Sequence, residues 1–187
     1  VRGQYRSYVD EEGVDGGSDV ETYAAVRFEI DSWRWSGVPW LVRTGKDLQV
    51  SATEAVVTFN EPPRLLFTPP DAPEPGPNFL RFQLGTSDGV KLHLHAKKPG
   101  EDLIPEPVDL EVSFGEVLGV RKAAYQRLLE DAMEGDARRF GRADALDEQW
   151  RIVEAILDHH EPVHLYAPGS MGPGEADRLA ADVGGWV

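Results

Sequence analysis

The sequence predicts an α+β fold: a large, mostly antiparallel sheet with helices from the C-terminal third packed on it, in a single domain over residues 1–187. Three observations predict it. Apolar residues recur at every second position through the first two thirds of the chain, which is the period of a half-buried strand. Each of these runs has one apolar and one polar face, the pattern of an antiparallel sheet covered on one side. From Ala124 onward the apolar step changes to three and four, the period of an amphipathic helix.

Taken in order, the opening segment "VRGQY" supplies a candidate first strand, and "DEEGVDGGSD" at 10–19 reads as a loop. Val26, Phe28 and Ile30 alternate with Arg27, Glu29 and Asp31. "PWLVRT" continues the sheet after a Gly-Val-Pro turn, and Ala55, Val57 and Phe59 share one face of "TEAVVTFN". The segment 69–78 holds five prolines and must be a connection. Leu80, Phe82 and Leu84 form one strand; Val90, Leu92, Leu94 and Ala96 form the next, with "GTSDG" between them as a hairpin turn. Val108, Leu110, Val112 and Phe114 form the last. Helical spacing then links Ala124, Tyr125, Leu128, Leu129, Ala132 and Met133, and again Leu146, Trp150, Val153 and Leu157. "GPGEADRLAADVGG" predicts a short final helix with proline near its start and glycine after its end.

Composition narrows the function. With 41% hydrophobic and 28% charged residues, the chain has the make-up of a globular domain able to bury a core. It has no cysteine, so neither a disulfide framework nor a thiolate metal site is available. The formal net charge of −14 disfavours nucleic acid and anionic lipid as partners. No apolar run approaches the roughly 20 residues needed to span a bilayer, and the polar N-terminus is not a signal peptide, so a cytoplasmic location is expected.

No G-x-G-x-x-G, Walker loop or G-x-S-x-G is present; Ser170 lies in "PGSMG", outside a strand-turn-helix setting. His93 and His95 point to one face of a strand, but two ligands between the cations Lys91 and Lys97 make a poor metal site, and no metal is expected. His159, His160 and His164 follow a predicted helix, where imidazole complements the dipole. The segment 31–48, "DSWRWSGVPWLVRTGKDL", carries three of the five tryptophans and ends its apolar run on Gly45-Lys46. Glycine admits a ligand close to the backbone and lysine supplies a mobile charge, so Lys46 is either an anion contact or an ordinary strand exit. Trp33, Trp35 and Trp40 need partners for their indole N–H groups, and Arg34 is placed to stack on a neighbouring ring.

The stretch "FEIDSWRWSGVPWLVRTGK" resembles a segment of the glucose-6-phosphate dehydrogenase family. "VRGQY" at 1–5, "AKKPG" at 96–100, "AYQRLLEDAMEGD" at 124–136, "RAD" followed by "QW" within 142–150 and "YAPGSMGP" at 166–173 are similar to that family in the same order. The resemblance covers essentially the whole chain and corresponds to the C-terminal, substrate and dimerisation domain. It implies that the N-terminal dinucleotide-binding domain and the catalytic histidine lie outside these residues, and a start at Val1 rather than methionine fits a portion of a longer chain. It further implies that Lys46 contacts the phosphate of glucose 6-phosphate, that Arg43 serves an anionic coenzyme site, that NADP is the cofactor of the parent enzyme, and that a homodimer or tetramer forms through the sheet. No catalytic residue is expected here.

The chain departs from the family pattern at several points. Relatives carry a second base five residues after the lysine, where this chain has Ser51. Aligned on the following hairpin, the family's Arg-x-Gln-Pro falls on "QLGT", placing Gln83 for the arginine and Gly85 for the glutamine. Ser32, Met171 and Gln126 replace an asparagine, a tryptophan and a glutamate. A non-catalytic assembly or regulatory module that kept the fold and lost the site is the alternative these departures favour.

Overall fold

The strands follow the alternation closely. The computed structural model describes residues 1–61, 76–85, 87–119, 122–157 and 161–187. The chain divides into two compact units: Val1–Ser51 with Gly141–Val187, and Ala52–Phe140.

The first unit holds β1 (Arg2–Tyr5), β2 (Tyr23–Glu29), β3 (Pro39–Gly45) and β8 (Val163–Tyr166) in the order β3-β2-β1-β8. β2 and β3 pair antiparallel from Tyr23↔Gly45 to Glu29↔Pro39. β8 pairs parallel with β1, from Arg2↔Val163 to Tyr5↔Tyr166. The sequence reading did not anticipate β8, because four residues are too few to display a period. Its core is aromatic: Tyr5, Tyr23 and Tyr166 with Ala25 and Ala176, flanked by Val1, Tyr8, Leu48, Leu179 and Trp186. The Tyr23 and Tyr166 rings lie 5.6 Å apart and those of Tyr5 and Tyr166 6.3 Å apart, tilted or edge-on; such pairs add about 0.5–1.5 kcal/mol each beyond area burial.

The covered face of β2 is therefore the one bearing Tyr23, Ala25 and Arg27, not the Val26-Phe28-Ile30 face that alternation marks as apolar. The short α4 (Asp177–Ala180) and its flanking single turns form one side of this core. Arg27 fastens them, donating to the Leu179 carbonyl at 3.1 Å and the Asp182 carboxylate at 2.5 Å. On the other face Phe28 stacks on Trp40 at 6.0 Å, and Trp35 meets Trp40 edge-on at 4.9 Å. α3 (Ala143–Leu157) also belongs to this unit.

The second unit is the antiparallel meander β4 (Thr53–Thr58), β5 (Phe79–Leu84), β6 (Gly89–Lys97) and β7 (Pro105–Ser113). The hairpin expected at "GTSDG" joins β5 to β6, with Gln83 opposite Gly89; Thr86 lies outside the described residues, as do residues 69–75 of the proline-rich connection. One face aligns Val57, Leu80, Leu92 and Leu110 in one row and Ala55, Phe82, Val90 and Val112 in another. The opposite face is polar, with Asp109 held by Lys91 at 2.7 Å and His93 at 2.6 Å. These two partners, Lys91 first, keep the Asp109 carboxyl below its ordinary range. α1 (Phe114–Leu118) and α2 (Ala124–Glu134) follow, and Gly135 caps α2 in the left-handed conformation.

Two features differ from expectation. Where one sheet is expected, the strands of the described residues form two sheets of four. Residues after β3 turn instead to the C-terminal segment, Leu48 bridging Ser170. Second, α4 packs on β2, but the apolar residues of α2 and α3 stay exposed: Met133 is 88% and Trp150 62% accessible.

Candidate functional site

Lys46 leaves β3 on a main chain held from both sides. Its N–H donates to the Thr22 carbonyl at 2.8 Å, and its carbonyl accepts from the Tyr166 hydroxyl at 2.7 Å. The next residue, Asp47, adopts the left-handed conformation with φ of 50°, unusual outside glycine though tolerated by aspartate. This bend aims the Asp47 carbonyl at the Gly169 N–H, 2.8 Å away, and Gln49 N–H then donates to the Ser170 carbonyl at 2.9 Å. The turn 46–49 is thus laced to the loop 166–170 by main-chain groups. Beneath it lies the buried Tyr23 ring. A Cβ added at Gly45 would stand 2.7 Å from that ring, and one at Gly172 2.6 Å from its Cζ, so both glycines are required by close approach. Above this base the Lys46 side chain is exposed, and among the described residues no carboxylate pairs with it.

Arg43, three residues earlier, sits on the face of β3 that bears Gly45, opposite Ala25. Its guanidinium stacks 4.7 Å above the Trp186 ring. Stacking occupies the face of the guanidinium and leaves its in-plane N–H donors for a phosphate or carboxylate. Arg43 is engaged with Trp186, whereas the Lys46 side chain is exposed.

The tryptophans divide in their roles. Trp40 is central to the exposed aromatic group of β2 and β3, and its Nε1 is buried without a partner among the described residues. Trp33 is fully exposed. Arg34 stacks on neither neighbour.

Ser51 is exposed, so no second base stands there. In the run "QLGT", Gly85 lies in the turn with φ of 117°, and Gln83 lies in β5 on the same face as Arg81. Arg81 pairs with Glu54 at 3.3 Å.

Three of the five histidines lie among the described residues. The rings of His93 and His95 meet edge-on at 5.2 Å, with His93 on Asp109 and His95 Nδ1 on Asn78 Oδ1 at 3.3 Å. His164 lies in β8, not at a helix end, 3.6 Å from Glu175. His159 and His160 lie outside the described residues. Among the described residues no group of three or more His, Cys, Asp or Glu side chains is placed to hold a metal ion, and no helix is long and apolar enough to cross a membrane. Sequence reasoning gave no role to Thr22, Tyr166 or Gly169 and named Ser170 only as lacking a nucleophile's setting; the glycine-punctuated "YAPGSMGP" was a signal for the last three, and none pointed to Thr22.

The family described as "Glucose-6-phosphate dehydrogenase, C-terminal domain" matches residues 1–187. A glucose-6-phosphate 1-dehydrogenase of Aggregatibacter actinomycetemcomitans is 38% identical over 183 residues, 96% of this chain and 36% of the relative. Glucose-6-phosphate 1-dehydrogenase 1 of Mycobacterium tuberculosis is 38% identical over 186 residues, 100% of this chain and 39% of the relative. The chain therefore spans less than two fifths of the length of these relatives. Among solved structures, the glucose-6-phosphate 1-dehydrogenase of Mycobacterium avium superposes over 100% of this chain and 39% of its own, with a TM-score of 0.84 and 38% identity. A glucose-6-phosphate dehydrogenase in complex with its substrate glucose-6-phosphate gives a TM-score of 0.86 at 28% identity, over 100% of this chain and 40% of its own.

Proposed function

The chain belongs to the glucose-6-phosphate dehydrogenase family as its C-terminal domain, and on that premise we propose that it contributes sugar-phosphate contacts and an intersubunit surface to an NADP-dependent enzyme that oxidises glucose 6-phosphate to the lactone. The observation that carries this reading is Lys46, an exposed cation without a carboxylate partner among the described residues, on a main chain held from both sides. A lysine so presented binds phosphate as a point charge. It does not move a proton or a hydride. NADP, bound chiefly by a domain outside these residues, supplies the acceptor for hydride from C1 of the sugar. Arg43 is the residue here proposed to meet an anionic coenzyme, through the in-plane donors that stacking on Trp186 leaves open.

The test is direct. The full-length enzyme carrying this domain is expected to reduce NADP on addition of glucose 6-phosphate, whereas residues 1–187 alone give no turnover, since hydride acceptor site and base lie elsewhere. A full-length protein without turnover would favour the non-catalytic module that Ser51 suggests.

The apolar face of the second sheet is the proposed surface between copies of the chain. Leu110 is 54% and Val57 47% accessible, and both belong to one aligned apolar row. Leu110→Asp in the full-length enzyme is expected to raise the dissociation constant of the oligomer by about tenfold or more, from the cost of desolvating a carboxylate in an apolar interface. Sedimentation velocity across a concentration series measures it. An unchanged constant would remove this face from the interface.

A further inference from the structure

We propose that Tyr166 is a positioning residue for the sugar-phosphate contact, its hydroxyl setting where Lys46 presents its ammonium group. This rests on the reading of Lys46 as a phosphate contact.

Tyr166 is 2% accessible, and packing alone would be served by phenylalanine. Its hydroxyl instead reaches the Lys46 carbonyl at 2.7 Å and lies 3.1 Å from the Thr22 hydroxyl. Thr22 holds the other side of the same residue, its carbonyl accepting the Lys46 N–H at 2.8 Å. Both main-chain polar groups of Lys46 are therefore fixed by one pair of side-by-side residues. The Thr22 hydroxyl is itself anchored, accepting the Tyr5 N–H at 3.0 Å. Among the described residues no carboxylate pairs with the ammonium, so the main chain is what defines the volume the flexible side chain sweeps. A binding group must be held to within about half an ångström to act at full strength. The hydroxyl of Tyr166, on β8, thus couples the C-terminal segment to substrate affinity without touching substrate.

The experiment uses the full-length enzyme. Tyr166→Phe is expected to raise KM for glucose 6-phosphate about 5- to 20-fold with kcat within about twofold, the pattern of lost uniform binding. The inhibition constant of inorganic phosphate, competing with the sugar phosphate, should rise by the same factor. In a Lys46→Ala background Tyr166→Phe should add no more than about twofold to KM, since coupled residues are not additive. A merely structural role would lower thermal stability or the yield of active enzyme and leave KM unmoved, because KM is read from folded molecules only. If Tyr166→Phe gives no soluble protein, Thr22→Val, which removes the hydroxyl beside that of Tyr166, is expected to raise KM in the same direction by about 2- to 5-fold; an unchanged KM overturns the inference. So does an unchanged KM in Tyr166→Phe when Lys46→Ala raises it, which leaves the phosphate reading intact. An unchanged KM in Lys46→Ala itself overturns the phosphate reading and the inference together.

Discussion

Lys46→Ala in the full-length enzyme is expected to raise KM for the sugar phosphate by far more than it lowers kcat. In the proposed role the lysine holds a phosphate, which does not change charge during hydride transfer, so ground and transition states would lose the same interaction. A partly solvated charge-assisted contact is worth about 1.5–3 kcal/mol, or about 10- to 150-fold in kcat/KM. The effect should sit toward the upper end, because Ser51 carries no charge to share the phosphate. Ser51→Arg in the variant should recover part of the loss. Initial-rate kinetics against glucose 6-phosphate decide it. A kcat/KM within about twofold of the parent would reduce Lys46 to a strand-exit residue.

Gly172→Ala is expected to produce the largest stability loss of any single methyl addition in the first unit. The new Cβ would stand 2.6 Å from Cζ of Tyr23, a ring only 2% accessible with nowhere to retreat. The backbone compounds this, since φ at Gly172 is 103°, a conformation that side chains with a Cβ rarely adopt. Overpacking and strain together cost about 3–5 kcal/mol, which lowers the melting temperature by roughly 6–20 °C at the slope usual for a chain of this size. Gly169→Ala is the control: its φ of 74° is also left-handed, but nothing lies within 4 Å of the added Cβ. It should cost only about 1–2 kcal/mol. Calorimetry of both variants separates the terms. Equal shifts would mean that Tyr23 moves aside and that crowding contributes nothing.

The strands were legible because a half-buried sheet leaves a period of two that survives in single residues: Val57, Leu80, Leu92 and Leu110 fall in one aligned row as the alternation requires. Alternation does not say which face is covered. At β2 both faces carry apolar groups, and the aromatic core chose Tyr23 and Ala25 over Val26 and Phe28. The helices α2 and α3 were legible from their stripes, but the stripes do not name a partner, and within this chain they remain exposed. Lys46 was singled out from Gly-Lys after an apolar strand. The groups that fix it were not, because Tyr166 acts through a hydroxyl on a carbonyl 120 residues away in sequence. No local pattern encodes such a bond.

The parallel pairing of β1 with β8 has a consequence for biosynthesis. The second unit, Ala52–Phe140, is contiguous and all of it is translated before β8 emerges. The first unit lacks its parallel strand until Tyr166 leaves the ribosome. At the usual ~5–20 residues per second, the 120 residues between Lys46 and Tyr166 take roughly 6–24 s to synthesise. Throughout that interval the nascent turn at Lys46 has no latch, and β1 offers an open edge on which foreign strands can pair. Premature termination shortly before Val163 would therefore release a chain whose meander is complete and whose turn at Lys46 is unanchored.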